Sequence, residues 1–138
     1  EVLETQGVPV IAYGQDDMPA FWSRESGIPA PLRMDTAAQI AAAHRLRGEM
    51  SIPGGQLIGN PIPKDAEIDA ATLAPVIARA QADAEAHGIK GKGVTPYLLQ
   101  RIFELTKGNS LTANIALVRN NARLAAGIAQ HLVGYTAN

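Results

Sequence analysis

Asparagine is the residue type in this chain best placed to do chemistry. The last helical stretch carries Asn114, Asn120 and Asn121, although asparagine is a poor helix-interior residue because its side chain competes for backbone hydrogen bonds. Something must compensate. Asn114 and Asn121 are two helical turns apart and share a face with Val118 and Ala125, a face expected to point inward. A carboxamide there must find partners, either in a structural network or in a ligand. As donor and acceptor in one group, it suits the amide edge of a pyrimidine. Asn60, in Asn60-Pro61-Ile62-Pro63, leaves the C-terminal end of a short strand, which is where open α/β sheets place their ligands. It either touches a sugar or base there or only forms an Asx-turn before the proline.

Other motifs carry less. Gly88-Ile89-Lys90-Gly91-Lys92-Gly93 has the glycine and lysine content of a phosphate loop, but it follows a helix and lacks the hydroxyl residue after Gly-Lys that a Walker loop needs. It reads as a helix–helix connection. His44, His87 and His131 show neither HxxxH nor HExxH spacing, and surface or half-buried structural roles suit them better than a metal site. No lysine or tyrosine stands where a shifted pKa is demanded, and no Ser/His/Asp order is evident. The residues themselves therefore assign no catalytic group.

The elements that must position these asparagines are short strands and longer helices. Val8 to Tyr13 is an apolar, β-branched run ended by Gly14, the pattern of a buried strand. A weaker extended segment is expected over Ala20 to Arg24, and the proline-rich stretch from Gly27 to Pro31 is an extended loop. Asp35 or Thr36 caps a helix over about 36–50, with Ile40, Ala43 and Leu46 at apolar helical spacing and Arg45, Arg47 and Glu49 toward water. Pro53-Gly54-Gly55 turns the chain into a strand over Gln56 to Asn60. Asp69 caps a helix from Ala70 to His87 that Gly88 closes, and Pro75 is expected to kink or break it. Thr95-Pro96 opens the next helix, to Lys107, and Ser110 caps the last, about Leu111 to Val133. Strand, helix, strand, then helices imply an α/β unit. No repeat or linker divides residues 1–138 into two domains.

Composition narrows the function classes. A formal charge of −1 argues against a nucleic-acid partner, since affinity for a polyanion comes from clustered Lys and Arg. With no cysteine, a disulfide framework, a thiolate nucleophile and a sulfur-ligated zinc are excluded. No apolar run reaches the length of a membrane span and no signal peptide opens the chain, so no membrane partner and a cytoplasmic location are expected.

Taken together, the segments GVPVIAYG, PAFWSRESG, the Gly-Gly before a strand and NPIP, AEAHGIKGKGVTPYLLQRIFELTKG and SLTANIALVRNNARLAAGIA resemble the pseudouridine-5'-phosphate glycosidase family, also called the indigoidine synthase A family. The resemblance runs in order through essentially the whole chain and makes it the helix-rich C-terminal half of an α/β/α sandwich. It implies a homotrimer that reversibly cleaves pseudouridine 5'-phosphate to uracil and ribose 5-phosphate. A lysine forms a Schiff base with the opened ribose, a glutamate transfers protons, and a divalent metal, usually manganese, sits near the phosphate end. An imine is a reasonable electron sink for a carbon–carbon glycosidic bond, which has no leaving oxygen to protonate.

The resemblance puts the lysine, the glutamate and the metal ligand in the family's N-terminal half, so none is assigned in this chain. What carries over is the asparagine of the SLxAN segment, here Asn114, matching the position that contacts uracil. Asn60, Thr95 and Asn121 match family-like segments and are supporting candidates. Glu1 to Thr5, read as the last turn of a helix closed by Gly7, fits a chain whose partner is the N-terminal half of the same protein. Two other functions stand beside this one: a catalytically silent oligomerisation or sugar-phosphate-binding module of the same fold, and a related lyase acting on another base.

Overall fold

The computed structural model describes residues 2–134. Among them the sheet has three parallel strands in the order β2-β1-β3. The central strand β1, Val10–Tyr13, places Ile11 opposite Leu32 of β2, Leu32–Met34, and opposite Ile58 of β3, Leu57–Gly59. Val10, Ile11 and Ala12 are all buried, as a continuous apolar run in a central parallel strand requires. The α/β class expected from the sequence is the class of the fold. A short helix α1, Val2–Thr5, precedes the sheet and is followed by a turn through Gly7, which has a φ of 73°.

No helix joins β1 to β2. The long connection is instead pinned by backbone bonds from Met18 N to Ile28 O and from Ala30 N to Asp16 O, and by Gln15 Nε2, which donates to the carbonyls of Asp17 and Arg24. Ala20 to Arg24 form no strand there, contrary to expectation. The indole of Trp22 is buried, and the Ser23 hydroxyl and Arg24 guanidinium donate to the Ile68 and Ile62 carbonyls. The segment is thus anchored by side chains, not by a ladder. Strand β2 lies just beyond the proline-rich stretch.

Helix α2, Ala37–Glu49, starts with a full capping box: Thr36 Oγ1 accepts from Gln39 N at 3.2 Å while Gln39 Oε1 accepts from Thr36 N at 3.0 Å. Its buried residues are Ile40 and Ala41. Leu46 is 55% exposed, and Arg47, expected to face water, turns back over the chain to donate to the Gly7 and Pro53 carbonyls. That clamp seals Arg47 Nε away without a hydrogen-bond partner. Gly59 closes β3 against the long connection, where a Cβ would lie 2.9 Å from the Pro19 ring.

Helix α3, Ala70–Ala86, is capped by Asp69 and runs through Pro75 without a break. Helix α4, Val94–Leu105, follows the short 3-10 turn Gly91–Gly93. Helix α5, Asn109–Val133, packs along α2, where a Cβ on Gly127 would sit 3.5 Å from Ala37 Cβ. Two N-terminal expectations are corrected. α4 begins at Val94 with Gly93 at the cap, putting Thr95 and Pro96 inside the first turn, and α5 begins at Asn109 with Gly108 at the cap. In both cases the preceding turn already sets the helix direction. A second core gathers Trp22, Ile62, Leu73, Ala80, Ile102, Ala113 and Leu117 where the helices meet.

Candidate functional site

Of the hollows that border α5, two take in sequence-predicted residues, one Asn114 and the other Asn60. The first, of about 390 Å³, is walled by Pro96, Leu99, Gln100 and Phe103 of α4, by Ser110, Leu111 and Asn114 of α5, and by Trp22. It exists because α4 and α5 are joined tightly. Lys107 and Gly108 both take positive φ, 52° and 90°, and the Gly108 N–H returns to the Phe103 carbonyl at 3.0 Å, a Schellman closure. Trp22 fixes the third wall: its Nε1–H donates to the Ser110 carbonyl at 3.2 Å, and Phe21 meets its ring edge to face at 4.7 Å.

Asn114 is half-buried in this hollow. No titratable side chain lines it. Charge lies just outside, between α3 and α4, where Arg101 bonds Asp83 at 2.7 Å and Glu104 at 2.9 Å. The Arg101 hydrogen bond holds the Asp83 carboxyl below its ordinary range. Gln100, which donates to Glu104 at 3.1 Å, followed by Arg101, does the same for Glu104. The hollow itself offers apolar surface and uncharged hydrogen-bonding groups, an arrangement with the chemistry to hold a flat, neutral ring.

The second hollow, of about 330 Å³, opens at the carboxyl ends of β1 and β3 among Tyr13, Ala37, Asn60, Asn120, Arg123 and Leu124. Asn60 is here, but its Nδ2 donates to Asn121 Oδ1 at 3.0 Å, and Asn120 Nδ2 donates to the Pro61 carbonyl at 3.0 Å. These bonds fasten α5 to the strand exit. Thr95 is exposed on the first turn of α4 and lines neither hollow, while its neighbour Pro96 lines the first. The shared face of Asn114 and Asn121 is not uniformly inward, since Val118 between them is 60% exposed.

Trp22, Gln100, Ser110 and Arg123 were not among the predicted site residues. Trp22 is the chain's single tryptophan, and Ser110 lies one turn before Asn114, a spacing that places both on one face. Those were the signals available. The three histidines are exposed. His87 Nδ1 lies 2.6 Å from the Asp83 carbonyl and 3.3 Å from the Tyr97 hydroxyl. Among the described residues, no three His, Asp or Glu side chains gather as a metal ion would require, so these residues do not fit a manganese site.

The sequence pattern of the indigoidine synthase A like proteins matches residues 1–131. The chain belongs to that family. Within it, the chain is 71% identical over 133 residues to the pseudouridine-5'-phosphate glycosidase of Roseobacter denitrificans, covering 96% of this chain and 43% of the relative. Against the enzyme of that name from Jannaschia it is 64% identical, covering 96% and 44%. The structure of prealnumycin C-glycosynthase in complex with ribulose 5-phosphate superposes with a TM-score of 0.84 at 33% identity, over 96% of this chain and 43% of that one. An indigoidine synthase A-like protein from Thermotoga maritima gives 0.78 at 30% identity, over 92% and 41%. The chain thus spans less than half the length of these relatives.

Proposed function

We propose that this chain is the C-terminal, base-binding part of a single-domain pseudouridine-5'-phosphate glycosidase, which reversibly cleaves pseudouridine 5'-phosphate to uracil and ribose 5-phosphate. The observation that carries the reading is the first hollow: an apolar, uncharged cleft with a half-buried carboxamide at Asn114, in a chain 71% identical to an enzyme of that name. A carboxamide supplies one donor and one acceptor side by side, complementary to a ring N–H beside a carbonyl. Removing it leaves the amide edge of the base without its protein partner.

On this reading the imine-forming lysine, the proton-transferring glutamate and the manganese ligands come from sequence outside this chain. The intact protein works in the cytoplasm as a homotrimer. The residues here bind and orient the base. Asn60 and Asn121 act by holding α5 against the strand exit, and Thr95 contributes only through the turn that sets Pro96 against the hollow.

The test is Asn114→Ala in the full-length protein, assayed for uracil and ribose 5-phosphate condensation with manganese. The expected loss is about tenfold to a hundredfold in kcat/KM, or roughly 1–3 kcal/mol, with an unchanged melting temperature. Normal kinetics, or a loss that merely follows unfolding, would overturn the assignment. No detectable reaction by the unmodified full-length protein would instead favour a catalytically silent module.

A further inference from the structure

Ser110 is 3% exposed, and both of its backbone groups are engaged beyond the ordinary helix pattern. Its N–H donates to Thr106 Oγ1 at 3.2 Å and its carbonyl accepts from the Trp22 indole. Its hydroxyl has no hydrogen-bond partner among the described residues. Sealed in a protein interior, such a group would cost free energy that alanine, of nearly the same shape, would not. Yet the hydroxyl is not sealed away, since Arg47 Nε is the one enclosed side-chain donor or acceptor lacking a partner among the described residues. Ser110 lines the first hollow, and Asn114 stands one helical turn further along the same face.

We propose that Ser110 is a specificity-determining residue of the base site, its hydroxyl donating to a second ring carbonyl of a pyrimidine dione whose other carbonyl and N–H are read by Asn114. The inference rests on the reading of Asn114 given above. The amide edge of such a ring runs carbonyl, N–H, carbonyl, that is, acceptor, donor, acceptor. One carboxamide matches two of these three groups, and the third needs a donor alongside. Ser110 is the hydroxyl-bearing residue in the lining. Its position is held from two sides by Trp22 and Thr106, so little side-chain freedom is lost when the base arrives. A site built to hydrogen-bond a ring oxygen discriminates strongly against a ring that lacks it, because the buried group is then left unpaired.

The experiment compares Ser110→Ala and Asn114→Ala in the full-length enzyme, with uracil and with its 2-thio and 4-thio analogues, whose sulfur is a weaker acceptor. Ser110→Ala is expected to keep or raise the melting temperature, to raise KM for uracil about tenfold with little change in kcat, and to lose distinctly less on one of the two thio analogues. Ser110→Cys, which keeps the volume and a weak donor, is expected to fall between. The proposal is overturned if Ser110→Ala leaves KM for uracil unchanged, if its loss is equal for all three bases, or if the variant melts lower or fails to fold, since the hydroxyl would then be structural. Normal kinetics for Asn114→Ala would sink the base-site reading itself. A kinetic effect at Asn114 with none at Ser110 sinks only the present one.

Discussion

At the residue scale, the three asparagines of α5 separate by what each side chain touches. Asn114 faces a hollow, whereas Asn121 accepts from Asn60 at 3.0 Å across 61 residues of sequence and Asn120 donates to the Pro61 carbonyl. Asn121 is exposed and Asn60 half-buried, so the bond between them is of the ordinary neutral kind, worth about 0.5–1.5 kcal/mol at most. A double-mutant cycle on the full-length protein, with Asn60→Ala, Asn121→Ala and the pair, is expected to show a coupling in the lower part of that range in chemical denaturation. Each single variant should keep KM for uracil within about twofold. Additive effects would show that the bond does not hold α5. The sequence singled out the three asparagines of α5 because asparagine inside a helix is anomalous wherever it occurs, and Asn60 because it leaves the end of a strand. It could not sort them, because the partners of Asn120 and Asn121 lie at the end of β3. Ser110 went unrecognised for a related reason: a serine ahead of a helix reads as a cap, and only Gly108 taking the cap frees its hydroxyl for the hollow.

At the element scale, helix ends account for most of what sequence patterning located and most of what it misplaced. Thr36 and Asp69 cap as expected because each side chain reaches a backbone N–H three residues on. Gly88 closes α3 with a φ of 66°, but α2 and α4 close the same way on Ser51 and Lys107, with φ of 56° and 52°. Neither residue announces a left-handed turn. Strand β2 is three residues long with its Leu32 and Arg33 exposed, so it offers no buried apolar run to read. Helices α3 and α4 are joined through Arg101 and Asp83 at 2.7 Å, both partly exposed, and this pairing yields a pH dependence whose sign is fixed. The Asp83 carboxyl titrates below its ordinary value because Arg101 hydrogen-bonds to its charged form. The stabilisation is therefore fully present above the ordinary carboxylate range and is lost as pH falls through the lowered value. Melting temperatures of the full-length protein and its Arg101→Met variant should differ near neutrality and converge between about pH 5 and about pH 2. A difference that stayed constant, or grew on acidification, would mean that Arg101 acts through packing of its stem and not through this pair.

At the scale of the whole molecule, the surface is larger than the mass accounts for. A compact monomer of 14.5 kDa exposes about 6,900 Å² by the usual scaling of surface with mass, whereas this chain exposes 8980 Å². The excess of roughly 2,000 Å² on this one chain is about twice the share per partner, roughly 1,000 Å², at which permanent interfaces begin. Part of it is apolar: Phe21, Leu46, Met50, Ile115 and Val118 are exposed large side chains. Both outer strands of the three-stranded parallel sheet also present an unpaired edge among the described residues, and parallel sheets are otherwise covered. The relatives supply a candidate cover, since this chain matches only 43% of the length of the Roseobacter denitrificans enzyme. The 138-residue chain produced alone is therefore expected to self-associate or melt without a cooperative transition. Co-expression with the segment corresponding to the rest of such a relative should restore a monodisperse, cooperatively melting particle. Sedimentation velocity and calorimetry on the two preparations decide the matter. A monodisperse monomer of the lone chain with a sharp transition would show that the exposed faces need no cover, and that the excess surface is only the cost of a loosely packed outline.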